Sequence, residues 1–150
     1  MLNRRMITLF LPTIMLERLF EKSLEENLSM AALVRRYMCR PLKISPEAFH
    51  KMMGPVKEHQ ARQKKPVWRI ATKTGRSAAF AIAVPEPMHR KLKREAARRG
   101  FSMSWLVTTA LMFPLGITQD DLNQFNGMEL PLKKDRYPGV FRDIQKSRLW

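Results

Sequence analysis

The sequence predicts a mainly α-helical fold with a two-stranded antiparallel β-ribbon, built from two strand–helix–helix units of one chain. Two observations favour this fold class. A short apolar strand pattern ending in proline occurs at residues 6–12 and again at residues 79–85, and two amphipathic helix patterns follow each copy. The copies align without a gap at an offset of 73 residues. Because a lone strand leaves both edges unpaired, we expect the two strands to pair as an intramolecular pseudo-dimer.

The first unit covers residues 1–39 and begins with the strand. Alternation with period two gives this strand an inner face and an outer face. The inner face holds Ile7, Leu9 and Leu11, and the outer face holds Met6, Thr8 and Phe10. We expect Thr13 to be the N-cap of a first helix that stops at Asn27, and Ser29 to be the N-cap of a second helix.

The linker, residues 40–78, is the most basic segment, with ten Lys or Arg against two Glu. Ser45 followed by Pro46 predicts a short helix that ends at Met53, before Gly54. We interpret residues 56–77 as a mobile basic arm. This arm is either a solvated linker or a segment that binds phosphates, and its charge density favours phosphate binding.

The second unit, residues 79–117, repeats the structural positions of the first. Gly100 stands where Asn27 stops the earlier helix, and Glu86-Pro87 provides a helix start. Seven aligned positions are identical, namely Pro12 and Pro85, Met15 and Met88, Leu19 and Leu92, Ser29 and Ser102, Met30 and Met103, Leu33 and Leu106, and Val34 and Val107.

These features resemble the ribbon-helix-helix family of DNA-binding proteins. The resemblance is carried by the alternating strand, by Met15 and Leu19 or Met88 and Leu92 at i and i+4, and by Leu28-Ser29 or Phe101-Ser102 at the start of the second helix. Two copies in one chain are similar to single-chain tandem members, such as the TraY-type accessory proteins of conjugative DNA transfer. The resemblance covers about half of the chain.

The resemblance implies that the ribbon lies in the major groove of double-stranded DNA. Outward strand residues would meet base edges, the N-termini of the second helices would bind phosphates, and residues flanking the strands would add charge. The implied DNA-binding residues are Arg4, Arg5, Met6, Thr8, Phe10, Ser29, Met30, Lys73, Arg76, Ser77, Ala79, Ala81, Ala83, Ser102 and Met103.

The outer ribbon face departs from the family pattern, because family ribbons usually present Arg, Lys, Asn, Gln or Thr to the bases. Here Thr8 is the only outward residue that can hydrogen-bond to a base. We therefore expect weak direct readout of sequence. Affinity would come from the flanking cations, the basic arm and the basic helix between His89 and Arg99.

The C-terminal tail, residues 118–150, carries weaker signals. Thr118 can cap a short helix through Phe125, and later prolines favour extended structure. Its aromatic residues either pack on the core or bind a protein partner, and the first outcome is the expected one. These aromatic residues are Phe125, Tyr137, Phe141 and Trp150.

The composition of the chain limits the kinds of partner and of chemistry that can be expected. The net charge of +15 implies an anionic partner such as nucleic acid or an acidic membrane surface. Cys39 is the only cysteine, which excludes an internal disulfide and fits a cytoplasmic location, and no apolar run is long enough to span a membrane. His50, His59 and His89 lack metal-ligand spacing, so we expect no metal, no cofactor and no enzymatic activity.

Two classes of function remain open. The first is a non-enzymatic DNA-binding protein, monomeric when free, that acts either in DNA transfer (as a relaxosome accessory factor) or as a small transcriptional repressor. The second is a protein-interaction module, such as an antitoxin or a scaffold, whose apolar ribbon face meets a partner protein.

Overall fold

The fold combines helices with an antiparallel β-sheet. A computed structural model describes residues 1–55, 60–61, 64–70 and 77–123. The elements in chain order are β1 (Arg5–Pro12), α1 (Thr13–Glu26), α2 (Met30–Met38), α3 (Pro46–Met53), β2 (Arg69–Ile70), β3 (Ser77–Val84), α4 (Glu86–Arg99), α5 (Met103–Met112) and α6 (Gln119–Asn123). The predicted combination of helices with an antiparallel β-ribbon is therefore confirmed.

The ribbon consists of β1 and β3, which pair antiparallel over eight residue pairs from Arg5–Val84 to Pro12–Ser77. At its centre Thr8 faces Ala81, the residue 73 positions later in the alignment of the repeats. The register is therefore symmetric about this pair, so that each pairing of β1 with β3 has a counterpart in which the two repeats exchange places.

The second helix of each repeat packs on the strand of the other repeat. In α5, the Ser104 Oγ accepts a hydrogen bond from the Phe10 backbone N–H at 3.0 Å. In α2, the buried Arg35 donates from Nη1 to the Ala83 carbonyl oxygen at 2.8 Å. Phe10 and Ala83 are equivalent positions of the two repeats. Both bonds satisfy backbone groups of the ribbon, and they tie the repeats into one body.

The core lies between the inner ribbon face and the helices. Leu9, Leu11 and Ile82 are at most 1% exposed, which confirms the predicted inner face. The helices contribute their apolar stripes, and α2 packs against α5. The stripe residues that are buried at equivalent positions are Met15 and Met88, Leu19 and Leu92, Leu33 and Leu106, and Val34 and Val107.

Most helix ends follow the sequence signals. The Ser29 and Ser102 hydroxyls accept hydrogen bonds from the N–H groups of Ala32 and Trp105 at 3.1 and 3.0 Å. Asn27 and Gly100 end α1 and α4 in the left-handed conformation, with φ of 52° and 72°. The expectation that Thr13 caps α1 is wrong, because β1 runs straight into the helix and Thr13 is already its first residue.

The linker is described in part, and much of the expected mobile arm, residues 56–59, 62–63 and 71–76, lies outside the described residues. Its short helix α3 spans Pro46–Met53 as predicted, with Ser45 as N-cap. Beyond it, β2 pairs with β3 through Arg69–Ala79 and Ile70–Ala78, so the ribbon has a third, two-residue strand. We call residues 64–70 the strap. The strap is ordered against the protein because Trp68 and Lys65 both contact Glu17 of α1.

The tail is described only in part. Helix α6 begins after Thr118, as expected, and is described for Gln119–Asn123. The predicted end of this helix at Phe125 lies outside the described residues. The Thr118 hydroxyl accepts from the Asp121 N–H at 3.1 Å, and the Asp121 carboxylate accepts from the Thr118 N–H at 2.9 Å. This reciprocal pair satisfies two donors at the helix start. The aromatic residues of the tail, which were expected to pack on the core or, alternatively, to bind a protein partner, lie outside the described residues.

Candidate nucleic-acid interface

The outer face of the ribbon presents two rows of side chains. Met6, Thr8 and Phe10 face Ala83, Ala81 and Ala79 across the strands. Met6 is 59% exposed, Thr8 and Ala81 are also exposed, and the other three are half-buried. The inner face is occupied by the core, so strand alternation leaves these six positions outward. The surface can make methyl contacts and one hydroxyl hydrogen bond, and it can approach another surface closely along the alanine row.

Arg4 and Arg5 lie at the end of the ribbon where α4 begins. The Arg5 guanidinium forms an ion pair with Glu86, in the first turn of α4, and this pair lowers the pKa of the Glu86 carboxyl. Arg4 contacts the sulfur of Met6 at 3.6 Å and is exposed. The two predicted phosphate contacts therefore differ, because only Arg5 shares its charge with a carboxylate.

Of the remaining predicted flanking residues, only Ser77 lies within the described residues, at the opposite end of the ribbon. Ser77 is 0% exposed, so its side chain does not reach the surface that the sequence assigned to it. It pairs with Pro12, the last residue of β1 before α1 begins. Lys73 and Arg76 lie outside the described residues.

The N-termini of α2 and α5 carry free backbone donors. The first N–H groups of a helix have no partner within the helix, and the Ser29 and Ser102 hydroxyls each satisfy only one of them. Met30 is buried, at 8% exposure, so its side chain does not form part of the surface, and Met103 is half-buried. Through the Ser104–Phe10 hydrogen bond, the first turn of α5 is fixed next to the ribbon.

Helix α4 is the most basic described element. Its exposed cations are Arg90, Lys91, Lys93, Arg94 and Arg98. The Glu95 carboxylate binds Arg98 and Arg99, and hydrogen bonds from Arg98 and then Arg99 lower the pKa of Glu95 to about 2. The first three turns of the helix thus keep cations that face solvent, whereas the last turn is partly neutralised.

The strap brings basic residues onto the acidic helix α1. The Trp68 indole donates from Nε1 to Glu17 Oε1 at 3.0 Å, and the Lys65 ammonium pairs with the other carboxylate oxygen. The hydrogen bond to Lys65, followed by that to Trp68, lowers the pKa of Glu17. Trp68 also packs on the core. Both carboxylate oxygens of Glu17 are therefore used to hold the strap.

Sequence reasoning missed four residues that organise this surface: Glu17, Trp68, Arg35 and Ser104. Their partners are 51, 51, 48 and 94 residues away in the chain. The only available signal was weak, since a tryptophan within a basic segment indicates a buried anchor as readily as a surface one.

The described residues contain no group of three or more His, Cys, Asp or Glu that could hold a metal ion. Within the same ranges, no helix is long and apolar enough to cross a membrane. No protein-family model, no curated protein and no solved structure matches the chain.

Proposed function

We propose that this chain is a non-enzymatic double-stranded DNA-binding protein of the ribbon-helix-helix type, with both halves of the pseudo-dimer in one chain. The observation that carries the proposal is the symmetric register of the ribbon, in which Thr8 faces its own counterpart Ala81. The exchange of strand contacts by α2 and α5 supports it further. Two separate strand–helix–helix domains would not need either feature.

The contact mode follows from the size of the ribbon. Two strands are about 4.8 Å apart, and the major groove, at roughly 12 Å, admits a two-stranded ribbon. Met6, Thr8 and the alanine row would lie against base edges, where apolar side chains can contact thymine methyl groups. The free N–H groups at the start of α5, beside the ribbon, would face a phosphate.

Charge supplies most of the affinity in this proposal. The chain carries +15, and α4 adds exposed cations at the end of the ribbon where Arg4 and Arg5 lie. Each neutralised phosphate releases counterions, so affinity falls as salt rises. Because the outer face offers one hydroxyl, we expect modest discrimination between sequences.

The proposed process is DNA transfer, with the chain as an accessory factor of a relaxosome. This assignment depends on the tandem arrangement and on its resemblance to TraY-type proteins. A small transcriptional repressor of the same fold is the alternative within the DNA-binding class. Footprinting on the DNA of the parent replicon separates them, since protection next to a transfer origin supports the first and protection over a promoter supports the second.

A salt series tests DNA binding itself. Binding is measured by fluorescence anisotropy with a labelled duplex of about 30 base pairs and random sequence. The duplex needs no specific site, because the salt series measures the non-specific, electrostatic part of the affinity. With about four phosphate contacts, affinity should fall roughly 100-fold between 50 and 200 mM salt. No measurable binding near 50 mM salt would contradict the proposal.

One observation favours a protein-interaction module as the second candidate. Met6 is 59% exposed on an outer face whose other members are Thr8, the half-buried Phe10 and three alanines, which is an apolar surface suited to a partner protein. In that case Met6→Asp should abolish partner binding, and the salt series should show no DNA binding.

A further inference from the structure

The strap contacts α1 at a residue that has an aligned counterpart in α4. Glu17, which holds Lys65 and Trp68, is equivalent to Arg90 of α4 at the offset of 73 residues. Where α4 presents an exposed guanidinium, α1 therefore presents a carboxylate bound to an ammonium group. The pair with Lys65 neutralises the acid that α1 carries where α4 carries a cation, and the adjacent Lys64 stays exposed.

The strap also lies beside the ribbon. Through β2 it pairs with Ala78 and Ala79, at the end of the ribbon where α1 begins, while α4 begins at the other end. A third strand adds about 4.8 Å to the width of the ribbon at this end. Because the major groove is roughly 12 Å wide, a strand at the outer edge of β3 would meet the groove wall, which consists of phosphates.

We propose that the strap is a second phosphate-binding element, held in place by Glu17 and Trp68, which gives the α1 end of the ribbon the role that the basic face of α4 has at the other end. This inference rests on the proposed DNA binding. The strap sequence, Lys-Lys-Pro-Val-Trp-Arg-Ile, has three cations, and Lys64 is exposed. Glu17 is a positioning residue, because it acts on DNA only through the strap.

The test uses a substitution for which simple electrostatics predicts stronger DNA binding, whereas the strap proposal predicts weaker binding. Removal of an acidic residue normally strengthens DNA binding, since it reduces repulsion of phosphates. We expect Glu17→Ala to weaken binding about fivefold at 100 mM salt and to make the salt slope less steep by about one phosphate contact. Glu21→Ala is the matched control, because Glu21 is an exposed acid one turn further along α1.

Trp68→Phe provides a second variant without a change of charge. It keeps an aromatic ring in the core and removes the indole donor to Glu17. We expect this variant to bind DNA more weakly than the wild type does. The loss of affinity should be smaller than for Glu17→Ala, because Lys65 still pairs with Glu17. Circular dichroism of each variant verifies that the fold is retained.

Hydrogen exchange of the free protein separates this inference from the proposed function. In the wild type, amides of residues 64–70 should be protected, and Glu17→Ala should remove that protection. Protected amides in a wild type that does not bind DNA would contradict the proposed function and with it the role of the strap. If the wild type binds DNA, then an unprotected strap, or Glu17→Ala binding as tightly as Glu21→Ala, would overturn the strap proposal alone.

Discussion

Helices α1 and α4 align with each other in the two repeats, but the charges of their side chains differ. Their buried positions agree, since Met15 and Leu19 align with Met88 and Leu92 and all four are at most 2% exposed. Their charges do not agree. Each of the four glutamates of α1 aligns with an arginine of α4, in the pairs Glu17 and Arg90, Glu21 and Arg94, Glu25 and Arg98, and Glu26 and Arg99.

The difference shows which part of the pattern the fold requires. In α1, Lys22 pairs with Glu25 at an N–O distance of 3.4 Å, and in α4 the aligned pair is Glu95 with Arg98, which has the signs reversed. Either order gives a helix a small i,i+3 contribution, of about 0.2–0.5 kcal/mol. The fold therefore tolerates either sign of charge at these aligned positions. The inversion of charge affects the solvent-facing surface, and it makes one end of the ribbon differ from the other.

The largest effect is expected from substitutions in the core that the two repeats share. Leu33 and Leu106 are equivalent, lie in α2 and α5, and are at most 1% exposed. Leu33→Ala and Leu106→Ala should each lower the free energy of unfolding by about 3 kcal/mol, since both leave a cavity in one common core. Urea denaturation followed by circular dichroism measures this loss.

The shape of the transition is the decisive readout for this pair of variants. One core shared by both repeats should give a single cooperative transition in the wild type and in both variants. Leu24→Ala, at a 41% exposed position of α1, is the control and should have a small effect. Two separate transitions, each sensitive to one leucine, would mean that the repeats fold independently.

Periodicity and capping chemistry predicted the shared part of the fold. The inner ribbon residues Leu9 and Leu11, the caps Ser29 and Ser102, and α3 all follow from patterns within a few residues of sequence. Such patterns are local, and the strand and cap patterns occur in both repeats. Pairing of the strands followed from the need to cover their edges.

The strap could not be predicted in the same way. A two-residue strand such as β2 has no measurable periodicity, and the Trp68–Glu17 contact spans 51 residues. The basic composition of the linker favoured an arm that binds phosphates over a solvated linker, but only the folded chain shows that Glu17 of α1 contacts it. Arg35 was also unexpected, because a buried arginine depends on a carbonyl from the other repeat.

The next effect tests the basic end of the molecule. Replacing Arg90 and Arg94 together by Gln should weaken DNA binding about tenfold at 100 mM salt, because two exposed cations no longer neutralise phosphates. Arg98→Gln is the control on the same helix, and it should have less effect because Arg98 already pairs with Glu95. Equal losses per charge would mean that α4 contributes only through total charge.

Acid titration tests the ion-pair cluster that distinguishes the last turn of α4. The pKa of Glu95 is about 2 in the folded protein, below its ordinary value of 4.5. Stability from this group is therefore complete above about pH 4.5 and is lost as the pH falls towards 2. Because solvent screens this partly exposed cluster, we expect a loss of about 1 kcal/mol rather than the full value that the shift implies.

Glu95→Gln isolates that contribution. The unfolding free energy of the wild type should fall by about 1 kcal/mol more than that of the variant between pH 6 and pH 3, as measured by urea denaturation at each pH. A parallel fall in both proteins would show that other carboxyl groups account for the acid sensitivity of the fold.

The smallest effect concerns the centre of the ribbon, where Thr8 faces Ala81. Thr8→Ala makes this central pair identical and removes the one hydroxyl of the outer face. A single weak contact discriminates less than the bidentate pairs worth about 1–3 kcal/mol per base, so sequence preference should change by less than about 0.5 kcal/mol. Competition between duplexes that differ at one base pair measures the change. A large loss of specificity from this variant alone would mean that Thr8 reads a base directly, and that the ribbon face, rather than its charged ends, selects the site.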